Sequence, residues 1–236
     1  SNEVVLKKAL LVLNKLSLTK FDKLSDDFIE TGIGRNEQLL HDAVWKIVSK
    51  AQDEPHFASM YAALCLKLSR THFEVEANTE KKGKMFKKLL LTRCQEEFET
   101  DTAQKIAKAT EGITEEEEIE FKTALVKRHY LGHMRFIGEL YKGDLISIKI
   151  MLFVLPALLE GESSFSGATG EKKDSDSDDI DEEKVECFTK LMTTIGSSLE
   201  QQSAAMKDVG KADASDKLAD CWVKVQRLCL LYTSPS

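Results

Sequence analysis

Proline is scarce in this chain, with 3 in 236 residues, and glycine numbers only 12. No segment alternates apolar and polar residues as a half-buried strand would, so a strand-rich fold is excluded. The five cysteines (Cys65, Cys94, Cys187, Cys221 and Cys229) are odd in number and none has CxxC spacing. That argues against a disulfide framework or a zinc site and for reduced thiols on helix faces, in the cytosol or nucleus. An excess of positive charge is also missing. The formal net charge is -7, so overall charge does not draw the chain to nucleic acid, although a local basic patch could. Long hydrophobic runs are absent. The best candidate, Ile146 to Leu159, is interrupted by Lys149 and Pro156 and is no membrane span. The opening residues already carry helical spacing and do not form a signal peptide. There is no GxxxxGK[ST] phosphate loop, GxSxG elbow or HExxH pair. Gly32-Ile33-Gly34 is too little for a dinucleotide fingerprint and follows a helix. The chain is therefore read as no enzyme, with no cofactor and no metal.

What is present is helix after helix. Hydrophobic residues make up 42% and charged residues 31%, enough to build a core and solvate it. From Val4 to Leu16, residues Leu6, Ala9, Leu10, Leu13 and Leu16 have helical spacing. Leu18-Thr19-Lys20 reads as a turn with Thr19 as N-cap of a helix carrying Phe21, Leu24, Phe28 and Ile29. Gly32-Ile33-Gly34 ends that helix. The next runs from Asn36 to Asp53 and stops at Pro55, which disfavours helical geometry in the residue before it. Further helices are expected over Phe57–Leu68, Met85–Phe98, Phe121–Tyr141, Leu145–Leu159 (capped by Asp144), Asp181–Ile195 and Asp213–Leu231. Residues 74–84 read as a polar loop. Residues 101–120 read as a mobile insertion or solvated helix start, and 161–180 as a disordered, Gly-, Ser- and Asp-rich insertion. An Ile-Gly pair followed by leucine occurs at Ile137-Gly138 and Ile195-Gly196. It suggests a weak internal repeat in which glycine at a helix end lets a neighbour approach.

Three clusters carry possible chemistry. His129 and His133 stand one helical turn apart, a metal-ligand spacing, but no third ligand is near, so both are read as surface histidines. Lys81, Lys82, Lys84, Lys87 and Lys88, with Arg93 further on, form a basic cluster that could contact RNA phosphates or simply solvate a helix start. Only Phe86 interleaves them as a base-stacking candidate. In Asp174-Ser175-Asp176-Ser177-Asp178-Asp179, Ser175 has acidic residues at both the first and third following positions. It suits an acidophilic kinase, whereas the plain alternative is a solvated linker.

Five segments then resemble one known family, in order. They are Leu10-Leu11-Val12-Leu13-Asn14-Lys15-Leu16-Ser17; Asp53-Glu54-Pro55-His56-Phe57 with Tyr61-Ala62 and Leu64-Cys65; Leu89-Leu90-Leu91-Thr92-Arg93-Cys94-Gln95-Glu96-Glu97-Phe98; Leu131-Gly132 with Arg135-Phe136-Ile137-Gly138-Glu139-Leu140-Tyr141; and Leu191-Met192-Thr193-Thr194-Ile195-Gly196. Together they resemble the middle domain of eukaryotic translation initiation factor 4 gamma over roughly residues 4–200.

The resemblance implies an all-α solenoid of about five antiparallel HEAT-type helix pairs forming a crescent, with the last pair incomplete. It would form one domain over residues 1–231, with an unstructured tail at 232–236, and the ending Leu228–Ser236 does not look like the family. The implied role is a cytoplasmic, monomeric scaffold of cap-dependent initiation. Such a scaffold binds and activates the DEAD-box RNA helicase of initiation, to which ATP belongs, and contacts RNA and initiation factor 3. Carried over by position, the helicase contacts fall on Leu13, Leu16 and Phe21. Apolar spacing alone leaves open whether these three face a partner or pack the first repeat. The alternative role is a middle-domain adaptor of mRNA decay or translational repression that does not bind the initiation helicase.

Overall fold

Asn36 shows how local chemistry sets a boundary in this chain. Its side-chain oxygen accepts a hydrogen bond from the Leu39 amide at 2.9 Å, opening a helix that runs to Asp53 just ahead of Pro55. In the computed structural model, which describes residues 1–76, 83–100, 102–159, 182–208 and 216–224, regular structure is helical throughout, with no strand among those residues. The α-helices are α1 (Asn2–Leu13), α2 (Phe21–Glu30), α3 (Glu37–Asp53), α4 (Ala58–Leu68), α5 (Lys84–Glu99), α6 (Thr102–Thr110), α7 (Glu116–Lys142), α8 (Ile148–Leu159), α9 (Glu182–Asp208) and α10 (216–224). The expected all-α architecture of paired helices is thus what the chain adopts.

The contacts divide the chain into two compact units, residues 1–145 and 146–236. In the first, α1 packs on α2, α3 on α4, and α6 on α7. Helix α3 lies at the middle. It touches α1, α4, α5 and α7, and buries Leu39, Leu40, Ala43, Val44, Ile47, Val48 and Ala51. Those positions recur every three or four residues, so one broad stripe of α3 faces its neighbours. In the second unit α8 packs on α9, with Leu155, Leu158, Leu191, Ile195 and Leu199 in its core.

Several boundaries differ from the sequence reading for local reasons. Helix α1 ends at Leu13, leaving Leu16 in the following turn. Thr19 is not an N-cap. Residues Leu18–Lys20 form a 3-10 turn, and α2 begins at Phe21 without a side-chain cap bond. Asp144 closes α7 instead of opening α8. It sits in the left-handed region (φ 57°), its amide bonds the Tyr141 carbonyl at 3.0 Å, and Ser147 offers the first carbonyl to α8. Within 101–120, residues Thr102–Thr110 form α6, which has no buried residue, and Glu116 begins α7. The insertion read at 161–180 and most of the 74–84 loop lie outside the described residues.

Close helix approach occurs at Gly132, not at Gly196 of the second Ile-Gly pair. Gly138 and Gly196 lie inside α7 and α9, not at their ends. A Cβ built on Gly196 would find only Met192 Cε, at 3.7 Å, whereas one on Gly132 would run into the Gln52 carbonyl oxygen of α3. Gly132→Ala is therefore expected to destabilise the fold by about 1–3 kcal/mol through overpacking against immovable backbone. Gly196→Ala should be neutral or slightly stabilising, because alanine is the better helix former. Thermal denaturation of the two variants checks the contrast.

Candidate functional site

The edge formed by α1, the turn after it and the start of α2 holds the residues carried over as partner contacts. They do not share one environment. Leu13 is 2% exposed and belongs to the core, together with Ala9. Leu16 and Phe21 are half-buried. Leu16 is held where α1 unwinds, its amide reaching the Leu13 carbonyl at 3.2 Å. Phe21 is the first residue of α2. Leu18, between them in the 3-10 turn, is 70% exposed and was not singled out from sequence. The apolar stripe selects residues on the helix period, and Leu18 lies beyond the helix end. Helix α2 is fixed from below by α4. Lys67 Nζ donates to Ser25 Oγ at 2.8 Å and pairs with Asp26 at 2.7 Å, and Ser25 is fully buried. The edge thus presents Leu16, Leu18 and Phe21 on a braced support, with Leu13 beneath. Leu13→Ala should cost about 2–5 kcal/mol of stability. Leu16→Ala should cost much less, and urea denaturation separates the two.

The lysine cluster is only partly described. Lys81 and Lys82 lie outside the described residues, as does Ser175. Lys84, Lys87 and Lys88 are exposed along one side of the first turns of α5 and make no ion pair among the described residues. Phe86 cannot stack on a base from here. It is fully buried and tilted against Phe73, with ring centres 6.4 Å apart. Arg93 is also engaged. It pairs with Glu97 and lies 5.0 Å over the Trp45 ring, which stacks on His41. Sequence spacing could not reveal Arg93's partner on α3.

The two histidines tie α7 to α3. His129 Nδ1 meets Asp53 Oδ1 at 3.0 Å on a partly exposed surface. His133 is not a surface residue: it is 1% exposed. Its Nε2–H donates to the Cys94 carbonyl at 3.0 Å, and its Nδ1 accepts from Gln52 Nε2 at 3.0 Å. The neutral imidazole bonds both neighbours, leaving Gln52 Oε1 buried without a partner, and among the described residues no group of His, Cys, Asp and Glu is placed to hold a metal. Burial pushes the His133 pKa down to about 4. Beside it, burial would raise the Glu97 carboxyl, but the Lys105 hydrogen bond and the charges of Lys105 and Arg93 outweigh that and hold it below the usual range. Burial pushes the Cys94 thiol up to about 12 and Cys65 upward too, so neither is poised as a thiolate.

Because His133 protonates more readily in the unfolded chain, its contribution to stability is complete above about pH 6.5 and is lost as the pH falls toward 4. That contribution is of the order of 3 kcal/mol. Urea midpoints of the wild type should fall through this window, and those of His133→Gln should fall less steeply. Equal slopes would show that another group governs the response.

With the braced edge and the α3–α7 crossing defined, comparison with known proteins places the chain. The family model for the MIF4G domain matches residues 6–230. The chain belongs to the MIF4G family. Its relatives include eukaryotic translation initiation factor 4 gamma of Schizosaccharomyces pombe, 32% identical over 212 residues, covering 84% of this chain and 14% of that protein. Human eukaryotic translation initiation factor 4 gamma 2 is 32% identical over 212 residues, covering 86% of this chain and 22% of that protein. Eukaryotic translation initiation factor 4G of Arabidopsis thaliana is 36% identical over 200 residues, covering 82% of this chain and 10% of that protein. This MIF4G chain therefore spans a minor part of the length of the relatives it matches. A crystal structure of the MIF4G domain of Trypanosoma cruzi translation initiation factor EIF4G5 superposes with a TM-score of 0.57 at 16% identity, covering 93% of this chain and 97% of that one. That agreement supports the helical solenoid fold.

Proposed function

We propose that this MIF4G chain is a non-catalytic, cytoplasmic scaffold of cap-dependent translation initiation that binds and activates the DEAD-box RNA helicase of initiation. The observation that carries the reading is identity of 32 to 36% with initiation factors 4 gamma and 4G across more than four fifths of the chain. The helicase docks on Leu16 and Phe21, with Leu18 beside them and Leu13 holding the edge from within. Each apolar side chain covered there contributes about 1.5–3 kcal/mol of transfer free energy before the cost of association is subtracted. The braced support favours this use, because an edge already in place loses little conformational freedom on binding. Lys84, Lys87 and Lys88, with Lys81 and Lys82, contact RNA phosphates, and initiation factor 3 is a further partner. The chain acts as a monomer.

Titrating the purified helicase with this chain while following ATP hydrolysis tests the reading. Saturable stimulation is expected. Leu16→Ala with Phe21→Ala should weaken it about tenfold or more, as expected for loss of central apolar anchors, with helical circular dichroism unchanged. If the wild-type chain neither binds nor stimulates this helicase but engages another DEAD-box protein, the initiation role is wrong and the adaptor of another RNA pathway takes its place.

A further inference from the structure

Helix α1 turns its Ala9 and Leu13 side into the core. With 3.6 residues per turn, Val4, Lys8 and Leu11 fall on the opposite side. Val4 is 51% and Leu11 61% exposed, an unusual outlay of apolar surface on a helix that already has a buried face. Lys8 stands between them, Lys7 flanks them on α1 and Lys15 follows in the turn after it, all exposed. Glu3 is the sole carboxylate of α1, and it is occupied by Lys7 at 2.6 Å. On a chain of net charge -7 this is a cationic strip with an apolar ridge. At the Val4 end the ridge descends into a groove of about 440 Å³ that also involves Val5 and Lys8 and is walled on the far side by Asp27, Glu30 and Arg35.

We propose that this outer face of α1 docks an acidic amphipathic helix of another protein. The helix lies along α1 with its apolar side on Val4 and Leu11 and its carboxylates over Lys8 and Lys15. One of its apolar side chains enters the groove. The carboxylates of Asp27 and Glu30 disfavour an acidic residue at that end, which fixes the direction of the bound helix. Charge complementarity selects the partner, since the strip is cationic on a chain of net charge -7. The proposal does not rest on helicase binding.

The test uses a fluorescein-labelled synthetic helical peptide with leucines at i, i+4 and i+7 and glutamates flanking them, against a scrambled peptide of equal composition, by fluorescence anisotropy. The peptide should bind the whole chain more tightly than the scramble, and added salt should weaken it. Leu11→Glu and Lys8→Glu, both at exposed positions, should each weaken binding about tenfold or more with helical content unchanged, as for loss of a central contact. Phe21→Ala should leave peptide binding intact. Equal binding of the scramble, or binding indifferent to Leu11→Glu, overturns the proposal. So does self-association of the chain that Leu11→Glu abolishes, which would assign the face to a second copy. Loss of helicase binding in Leu11→Glu would assign it to the helicase and likewise overturn the proposal.

Discussion

The crossing of α3 and α7 at Gly132 is the constraint on which the first unit depends. Two helix backbones meet there with no side chain between them, so neither can shift without losing the fit. The crossing is fastened on both sides of the glycine. His133 reaches the Gln52 side chain and the Cys94 carbonyl, joining α7 to α3 and α5, and His129 reaches Asp53. A buried polar group is tolerable only when its bonds are made. These bonds are made only when three helices hold one relative position, so the polar pairing specifies geometry that apolar packing alone would leave looser.

That internal definition is what lets the surface carry apolar groups without collapsing around them. Leu68, Leu64 and Tyr61 of α4 are buried, while Lys67 reaches outward to hold α2. Phe21 at the start of α2 and Leu16 in the turn before it are thereby displayed beside helices whose positions are fixed elsewhere. Glu54 adds a similar clamp at the end of α3. It accepts from Lys50 at 2.5 Å and from the Tyr61 hydroxyl, and these bonds outweigh the burial that would raise its pKa and hold it below the usual range.

Helix positions were readable from sequence wherever the deciding interaction is local. Asn36 caps three residues ahead, Pro55 stops the helix before it, and the apolar period of α3 names its core. Interactions between distant residues were not readable. His133 reads as a surface residue from sequence because no third ligand stands near it and its burial is invisible there. Its true partners are 81 and 39 residues away in sequence. Gly132 does not stand out in the sequence beside the echoed Ile195-Gly196, because an echoed motif is visible in one dimension and a backbone contact is not. Leu13, Leu16 and Phe21 share an apolar character that does not separate core from edge, and only burial distinguishes the first from the other two. The family resemblance, by contrast, is readable over roughly residues 4–200, because it depends on order and identity alone, although the family match runs on to residue 230.

The lysines at the start of α5 carry a cost that their exposure conceals. The amino end of a helix bears a partial positive charge from its unpaired amides, so cations there oppose the helix dipole. Lys84, Lys87 and Lys88 occupy that end, and no acidic residue stands in the first turn to offset them. The first turn of α5 is therefore electrostatically frustrated in the free chain. A polyanion laid across it would relieve that tension as it binds, so anchoring of this helix and occupancy of its basic end are thermodynamically linked.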